Sequence, residues 1–187
     1  MEIAELTEAW TTRFPGQVTT DDSFGALTVG VAADNWVAAL TFARDDLGCG
    51  YFDWLTGVDE LDDGFGIVVH VYSLEDRHHL LIRTRVPRAD PVLATATGVF
   101  RGANWHERET CEMFGVTFEG HPNLSPLLLP DGFEGHPLRK EFVLAARVAK
   151  AWPGAKEPGE SSAGAPSRRR VQPPGVPSDW GRDAHGA

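Results

Sequence analysis

Apolar residues follow two spacings over the N-terminal half of the chain. Apolar residues at every third or fourth position predict three helices. The first covers residues 2–13. The second is capped by Asp34 and ends near Gly48, and the third begins at Pro91 and ends near Phe100. Runs of β-branched and aromatic residues predict four strands, at 26–33, 51–58, 65–74 and 79–86. The chain thus contains both element types, without the regular alternation of a doubly wound sheet.

The helical stripes predict which side of each helix faces a core. The first helix presents one stripe, made of Ile3, Leu6, Ala9, Trp10 and Arg13. The second helix is expected to turn inward Val37, Ala38, Leu40 and Thr41.

Short polar turns join the last three predicted strands. Asp62-Asp63-Gly64 and Glu75-Asp76-Arg77 are turn-like, which favours an antiparallel meander of neighbouring strands. The sequence therefore predicts an α+β fold, a mostly antiparallel sheet with helices packed on one face. The other face, or an edge strand, is then free for a partner.

A fourth helix is predicted between Asn104 and Gly115. Asn104 and Glu107 have the spacing of a capping pair, and Gly115 suits the left-handed position after a helix. Arg108 and Glu112 are spaced to form an ion pair, so the charges of this helix favour salt bridges, within the chain or across an interface, over catalysis. A zinc-protease helix would need a second histidine where Thr110 stands.

The pentapeptide Phe-Glu-Gly-His-Pro occurs twice, at 118–122 and at 133–137. In each copy the glycine permits an unusual turn and the proline keeps the histidine extended, which favours a backbone corner whose imidazole bonds a neighbouring carbonyl or carboxylate. An interface contact, or a metal held by His121, His136 and nearby glutamates, stays open as an alternative.

Composition narrows the classes of function. The net charge of −10 and the pI near 5.1 argue against a nucleic-acid surface. No apolar run approaches the roughly 20 residues of a membrane span, and the acidic N-terminus does not resemble a secretory signal. The motifs of dinucleotide, phosphate and iron–sulfur binding are missing from the sequence, so we expect no redox cofactor in this chain.

Composition also divides the chain into three parts. Residues 1–116 are expected to form the α+β globular domain, and 117–152 an extended C-terminal docking segment that carries both Gly-His-Pro units. Residues 153–187 are rich in proline and glycine and are expected to be a disordered tail. The run Arg168-Arg169-Arg170 could order this tail on an acidic partner; the sequence does not say whether it binds anything.

The motifs between Trp105 and Phe142 closely resemble the C-subunit of bacterial NADH-quinone oxidoreductase, which belongs to the 30 kDa subunit family of respiratory complex I. The resemblance is carried by Glu107-Arg108-Glu109, Met113-Phe114-Gly115-Val116, Phe118, Gly120-His121-Pro122, Leu124 and Gly135-His136-Pro137-Leu138-Arg139-Lys140. The predicted α+β body is similar in layout to this family, whereas the tail lies outside the resemblance.

The resemblance implies a non-catalytic subunit on the cytoplasmic face of the cell membrane, docked on the quinone-site subunit (the D-subunit of the complex). It implies no cofactor in this chain, with FMN and iron–sulfur clusters in partner subunits, and no catalytic or metal-binding residues. The partner interface that it implies comprises Glu107, Arg108, Glu109, Phe114, Gly115, His121, Pro122, Gly135, His136, Pro137, Leu138, Arg139 and Lys140.

The sequence departs from the family in two places, and the first departure keeps another host complex open. The stretch Asn123–Leu128 stands where the family has arginine, and the family usually has Asp in place of Glu112. An accessory subunit of a membrane-bound hydrogenase or formate hydrogenlyase-type complex is therefore an alternative, and a small metal-dependent enzyme is another. The sequence names neither the quinone nor the electron donor.

Overall fold

Three helices and seven strands are formed by the residues that the computed structural model describes, 1–23 and 25–143. The helices are α1 (Ile3–Arg13), α2 (Trp36–Asp45) and α3 (Ala103–Phe114). The strands are β1 (Val18–Asp21), β2 (Leu27–Val31), β3 (Tyr51–Asp59), β4 (Phe65–Tyr72), β5 (His79–Val86), β6 (Val92–Ala94) and β7 (Thr117–Glu119). The expected tail and the last residues of the docking segment lie outside the described residues.

The main sheet has the strand order β1-β2-β5-β4-β3. The predicted meander of β3, β4 and β5 is confirmed, because both of its strand pairs are antiparallel. The pair β1–β2 is also antiparallel, whereas β2 and β5 run parallel. The α+β class is thus confirmed, with a sheet that is mixed.

One face of this sheet is buried under the helices. Alternate positions along the strands, such as Val29, Leu55, Val69 and Ile82, join one buried core with residues of α1, α2 and α3. Burial of apolar side chains on one side of alternating strands drives this layering. The prediction of helices on one face agrees with this arrangement.

The first two helices differ in how well the sequence predicted them. Leu6 and Trp10 of α1 are buried as expected. In α2 the predicted inner face is wrong apart from Leu40: the buried residues are Trp36, Ala39, Leu40, Phe42 and Ala43. The aromatic rings of Trp36 and Phe42 bury more apolar surface than Val37 and Thr41, so the helix turns them inward. The helix also begins at Trp36, after a 3₁₀ turn that contains Asp34.

The helix predicted from Pro91 to Phe100 is wrong. Its first residues form β6, which pairs in parallel with β7 and sets Leu93 beside Phe118. Both of these side chains are buried, and the Thr117 N–H donates to the Pro91 carbonyl at 2.8 Å. Proline is as compatible with the start of a strand as with the start of a helix. Pairing with β7, which is distant in sequence, therefore determines that the residues after Pro91 form a strand. This small sheet fixes the start of the docking segment beside the globular domain.

Candidate partner interface

Helix α3 is the element on which the candidate interface is built. It packs against β3, where the missing side chain of Gly57 makes room for the Phe114 ring: a Cβ on Gly57 would lie 2.8 Å from Phe114 Cδ2. Away from this buried side, α3 carries Arg108, Glu109 and Glu112. The described part of the docking segment, residues 117–143, contacts this helix through the hydrogen bonds that follow.

Glu107 is buried and does not cap the helix with Asn104 as predicted. Its Oε1 accepts the Ala96 N–H at 2.6 Å, and its Oε2 accepts the Thr95 hydroxyl. Burial raises the pKa of Glu107 to about 7, although both hydrogen bonds oppose the rise. The capping prediction was wrong because the loop before the helix offers this carboxyl a buried amide, whereas a helix cap would leave it at the surface.

Arg108 and Glu112 hold the docking segment, whereas the sequence predicted that they would pair with each other. The Arg108 guanidinium donates to the carbonyls of Ser125 and Pro126 at 2.8 and 2.7 Å. The Glu112 carboxylate accepts the Leu128 and Leu129 amides at 2.8 and 3.2 Å. Hydrogen bonds with one charged member are the stronger kind, so these four contacts fix an irregular loop to the helix.

The first Gly-His-Pro unit forms a corner at the N-terminal end of α3. Gly120 has φ +81°. The His121 Nδ1 accepts the Asn123 N–H at 3.0 Å, which leaves the proton on Nε2, and Nε2 lies 3.2 Å from the Asn104 carbonyl. The backbone-corner prediction is confirmed here. His121 Nε2 also lies 3.8 Å from Glu107 Oε2.

The second Gly-His-Pro unit closes the C-terminal end of the same helix. Gly135 has φ +92°, and His136 Nδ1 lies 2.7 Å from the Glu112 carbonyl. Leu138 donates its N–H to the Met113 carbonyl at 3.2 Å, and Arg139 Nε donates to the Phe114 carbonyl at 2.7 Å. The Gly115 N–H donates to the Cys111 carbonyl at 2.8 Å. All four carbonyls that a helix C-terminus leaves without partners are thus bonded.

Gly115 permits this close approach. Its φ of +74° is the left-handed conformation that was predicted. A Cβ at this position would lie 2.6 Å from His136 Nε2 and would also collide with the Arg139 guanidinium. Gly115 thus ends the helix, and its lack of a side chain leaves space for His136 and Arg139 to pack against the helix end.

Asp59 ties the end of the docking segment to the main sheet. It accepts Arg88 Nη1 at 2.8 Å and the backbone N–H groups of Lys140 and Leu61 at 2.7 and 2.9 Å. The Arg88 hydrogen bond, with the two backbone amides, holds the pKa of Asp59 far below its usual range. Sequence reasoning missed Asp59 and Arg88, because Asp59 bonds Arg88 and Lys140, which lie 29 and 81 residues further along the chain.

The predicted interface residues divide by exposure. Glu107 and Phe114 are buried within this chain. Six are half-buried: Arg108, Gly115, His121, His136, Pro137 and Arg139. Five are exposed and available to another polypeptide: Glu109, Pro122, Gly135, Leu138 and Lys140. Leu128 and Phe133 add exposed apolar surface to the same segment.

The two histidines of the repeat do not share a site. His121 bonds the first turn of α3 and His136 bonds the last, so the helix separates them. Within residues 1–23 and 25–143 no group of three or more His, Cys, Asp or Glu side chains could hold a metal ion. In the same ranges no helix has the length and apolar content to cross a membrane.

Comparison with known proteins identifies relatives over most of the described chain. The family model of the respiratory-chain NADH dehydrogenase 30 kDa subunit matches residues 29–148. The first of the NADH-quinone oxidoreductase C-subunits of Rhizobium meliloti is 43% identical over 129 residues, which are 67% of this chain and 64% of that protein. The C-subunit of Rhizobium rhizogenes is 46% identical over 124 residues, 64% of this chain and 61% of that protein. The chain thus spans less than two thirds of the length of these two relatives.

Two solved structures share the fold. A trypsin-resistant fragment of Nqo5 is 27% identical, with a TM-score of 0.55, and the match covers 64% of this chain and 96% of the fragment. A chain of the membrane-bound sulfane sulfur reductase, an archaeal respiratory membrane complex, is 24% identical with a TM-score of 0.68. That second match covers 85% of this chain and 96% of the other.

Proposed function

The chain belongs to the respiratory-chain NADH dehydrogenase 30 kDa subunit family, and we propose that it is a structural subunit in the peripheral arm of a proton-translocating NADH-quinone oxidoreductase. In this role its docking segment binds the quinone-site subunit on the cytoplasmic side of the membrane. Electrons pass from NADH through FMN and iron–sulfur clusters of other subunits to quinone. This chain supplies a rigid surface and no reacting group.

The observation that carries the proposal is that the family match extends through the docking segment. It runs from residue 29 to residue 148 and so includes both Gly-His-Pro units. Within the described residues these units fix the segment on α3 and leave Glu109, Leu138 and Lys140 exposed. A surface that is held in place and partly apolar suits a permanent protein contact.

An equivalent subunit of a related membrane complex is the second candidate. The likeness to the sulfane sulfur reductase chain favours it, but at 24% identity this likeness concerns the fold alone. The 43% and 46% identities to subunits named for NADH-quinone oxidoreductase support the first candidate more strongly. Mass spectrometry of the purified assembly separates the two, since an NADH-binding flavoprotein among the subunits is expected only for the first.

Leu138→Asp tests the docking role. Leu138 is 54% exposed, and a carboxylate at this position would be buried without a partner in an apolar contact, which costs several kcal/mol. We expect recovery of the quinone-site subunit with the tagged chain to fall about tenfold or more. Arg139 is less suitable, because it bonds the Phe114 carbonyl and lies over the Phe65 ring.

Leu74→Asp is the matched control. Leu74 is 70% exposed and lies in the turn between β4 and β5, away from the docking segment. This variant should recover the quinone-site subunit as well as the unchanged chain does. Recovery that is equal for Leu138→Asp and the unchanged chain would overturn the proposed docking surface, provided that both variants unfold at the same urea concentration as the unchanged chain.

A further inference from the structure

The second face of the main sheet carries apolar and aromatic side chains. Four of these side chains alternate with residues of the core and therefore point away from the helices: Trp54, Val68, Tyr72 and Leu81. All four are half-buried. A bulge between Phe52 and Trp54 shifts the phase of β3 and brings the Trp54 ring onto this side, stacked on His70. A sheet face that meets only water is usually polar. This face, which we call the open face, combines these apolar side chains with polar ones such as His70, Arg83 and Arg85.

Two arginines at one end of the open face share a single carboxylate among the described residues. Arg83 and Arg85 lie two positions apart on β5, and both donate to Glu60, with Arg85 Nε at 2.6 Å. Glu60 lies above Gly66, where a Cβ would come within 3.2 Å of its Oε1. The Glu60 side chain is 17% exposed, whereas those of Arg83 and Arg85 remain 41% and 49% exposed.

The arrangement leaves one positive charge and several donors unmatched. Each guanidinium has five N–H groups, and one carboxylate cannot accept from all of them. Beside them is a cavity of about 380 Å³ lined by Gln17, Thr19, Gly30 and the two arginines. Gly30 is paired with Arg83 across the parallel strands, and the Thr19 side chain fills the place where a side chain on Gly30 would begin, because a Cβ there would collide with Thr19 Oγ1. A cavity of this volume has room for a carboxylate group beside Arg83 and Arg85.

We propose that the open face is a second protein interface, which receives a segment of another subunit that places an Asp or Glu side chain between Arg83 and Arg85. Apolar side chains of the same segment cover Trp54, Val68 and Tyr72. A bidentate arginine–carboxylate contact fits this geometry. A membrane surface fits less well, because two arginines are a weak lipid attractant on a chain of net charge −10. The proposal rests on the proposed function only in that the chain works within an assembly.

Site-specific photocrosslinking in the purified assembly tests this interface. A benzophenone side chain at Val68, in the middle of the open face, is expected to link to another subunit, and the linked peptide should contain an Asp or Glu. The same group at Val37, which is exposed on α2, serves as the matched control. A yield at Val68 no higher than at Val37 would overturn the proposal. So would a link to residues 144–187, to a second copy of this chain, or to a peptide without a carboxylate.

The arginines are tested by a double substitution. Arg83→Gln with Arg85→Gln should lower the Val68 crosslinking yield about fivefold or more, while Arg83→Lys with Arg85→Lys should keep an intermediate yield. Arg101→Gln, at an exposed arginine before α3, should leave the yield unchanged. An unchanged yield for the double glutamine variant would contradict the role of the two arginines.

Failure of this proposal is distinguishable from failure of the proposed function. The crosslink at Val68 is measured with both arginines intact, so it does not depend on whether the glutamine variant folds. Leu138→Asp reports on the docking segment and leaves the open face unaltered. An assembly that forms normally but gives no crosslink at Val68 removes the second interface alone.

Discussion

Glu107 shows how the surroundings of one residue decide its chemistry. The side chain is buried beneath the Thr95–Ala96 loop and beside His121. From the sequence it could be identified as a notable charge on a helix, but not as a buried one. Its amide partner precedes the helix by several residues, and the burial arises only when the sheet and the docking segment close around it.

The raised pKa of Glu107 predicts a pH-dependent stability. The folded chain favours the protonated form, with a pKa of about 7 against 4.5 for an unperturbed glutamate. The stability that the protonated Glu107 contributes is fully present below pH 4.5 and is lost as the pH rises to 7. The loss is at most about 3.5 kcal/mol, since one unit of pKa corresponds to about 1.4 kcal/mol.

Glu107→Gln should flatten this part of the stability profile. The amide is neutral at every pH, so its free energy of unfolding, relative to that of the unchanged chain, should improve between pH 5 and pH 7.5. Urea unfolding of the full chain at both pH values measures the difference. Glu109→Gln, an exposed glutamate on the same helix, is the control and should follow the unchanged chain. Parallel profiles for Glu107→Gln and the unchanged chain would contradict the expected burial effect.

At the scale of the element, the C-terminus of α3 depends on a segment from outside the helix. Gly115 stops the helix, and His136, Leu138 and Arg139 bond its last carbonyls. Gly115→Ala should therefore destabilise the fold twice, through left-handed strain of about 1–2 kcal/mol and through displacement of His136 and Arg139. The free energy of unfolding in urea measures the total.

Gly16→Ala isolates the strain in that experiment. Gly16 has φ +71°, almost the same as Gly115, but a Cβ there meets nothing within 4 Å. We expect Gly115→Ala to cost clearly more than Gly16→Ala, by about 1 kcal/mol or more, because left-handed strain is common to both. Equal costs would mean that the second Gly-His-Pro unit contributes little to the stability of α3.

The sequence predicted the elements that neighbouring residues determine, and it failed for those that depend on a partner far along the chain. The meander follows from alternation and short turns, and the corner at His121 follows from glycine before it and proline after it. The strand Val92–Ala94 could not be predicted, because its partner Thr117–Glu119 lies beyond the whole of α3. The motifs predicted Leu138 as an interface residue, and its side chain is exposed, whereas the buried state of Glu107 and Phe114 became visible only in the packed structure.

At the scale of the molecule, Asp59 joins the sheet, the loop after β5 and the docking segment. Asp59→Ala leaves the Lys140 N–H and Arg88 without this acceptor, so residues 136–143 should exchange amide hydrogens about tenfold faster, while β4 and β5 should keep their protection. Hydrogen–deuterium exchange read by mass spectrometry measures both. Asp53→Ala, at an exposed aspartate of the same strand that bonds His70, should leave residues 136–143 unchanged.

The same contact should persist in mild acid. Arg88 and two backbone amides hold the pKa of Asp59 below its usual range, so the stability from this carboxylate is present above an unfolded pKa of about 3.9 and is lost only as the pH falls through the lower folded value. Exchange at residues 136–143, corrected for its intrinsic pH dependence, should therefore be equal at pH 7 and near pH 4.5. Faster corrected exchange at the lower pH would contradict this.

The clamping of both ends of α3 by the two pentapeptides has a kinetic consequence. Because residues 117–143 already have their conformation on the chain's own helix, a protein that binds them meets a preorganised shape and not a strand that must fold upon contact. The conformational entropy of that stretch is lost before the encounter, so association should proceed as rigid-body docking, with an on-rate set by collision and orientation.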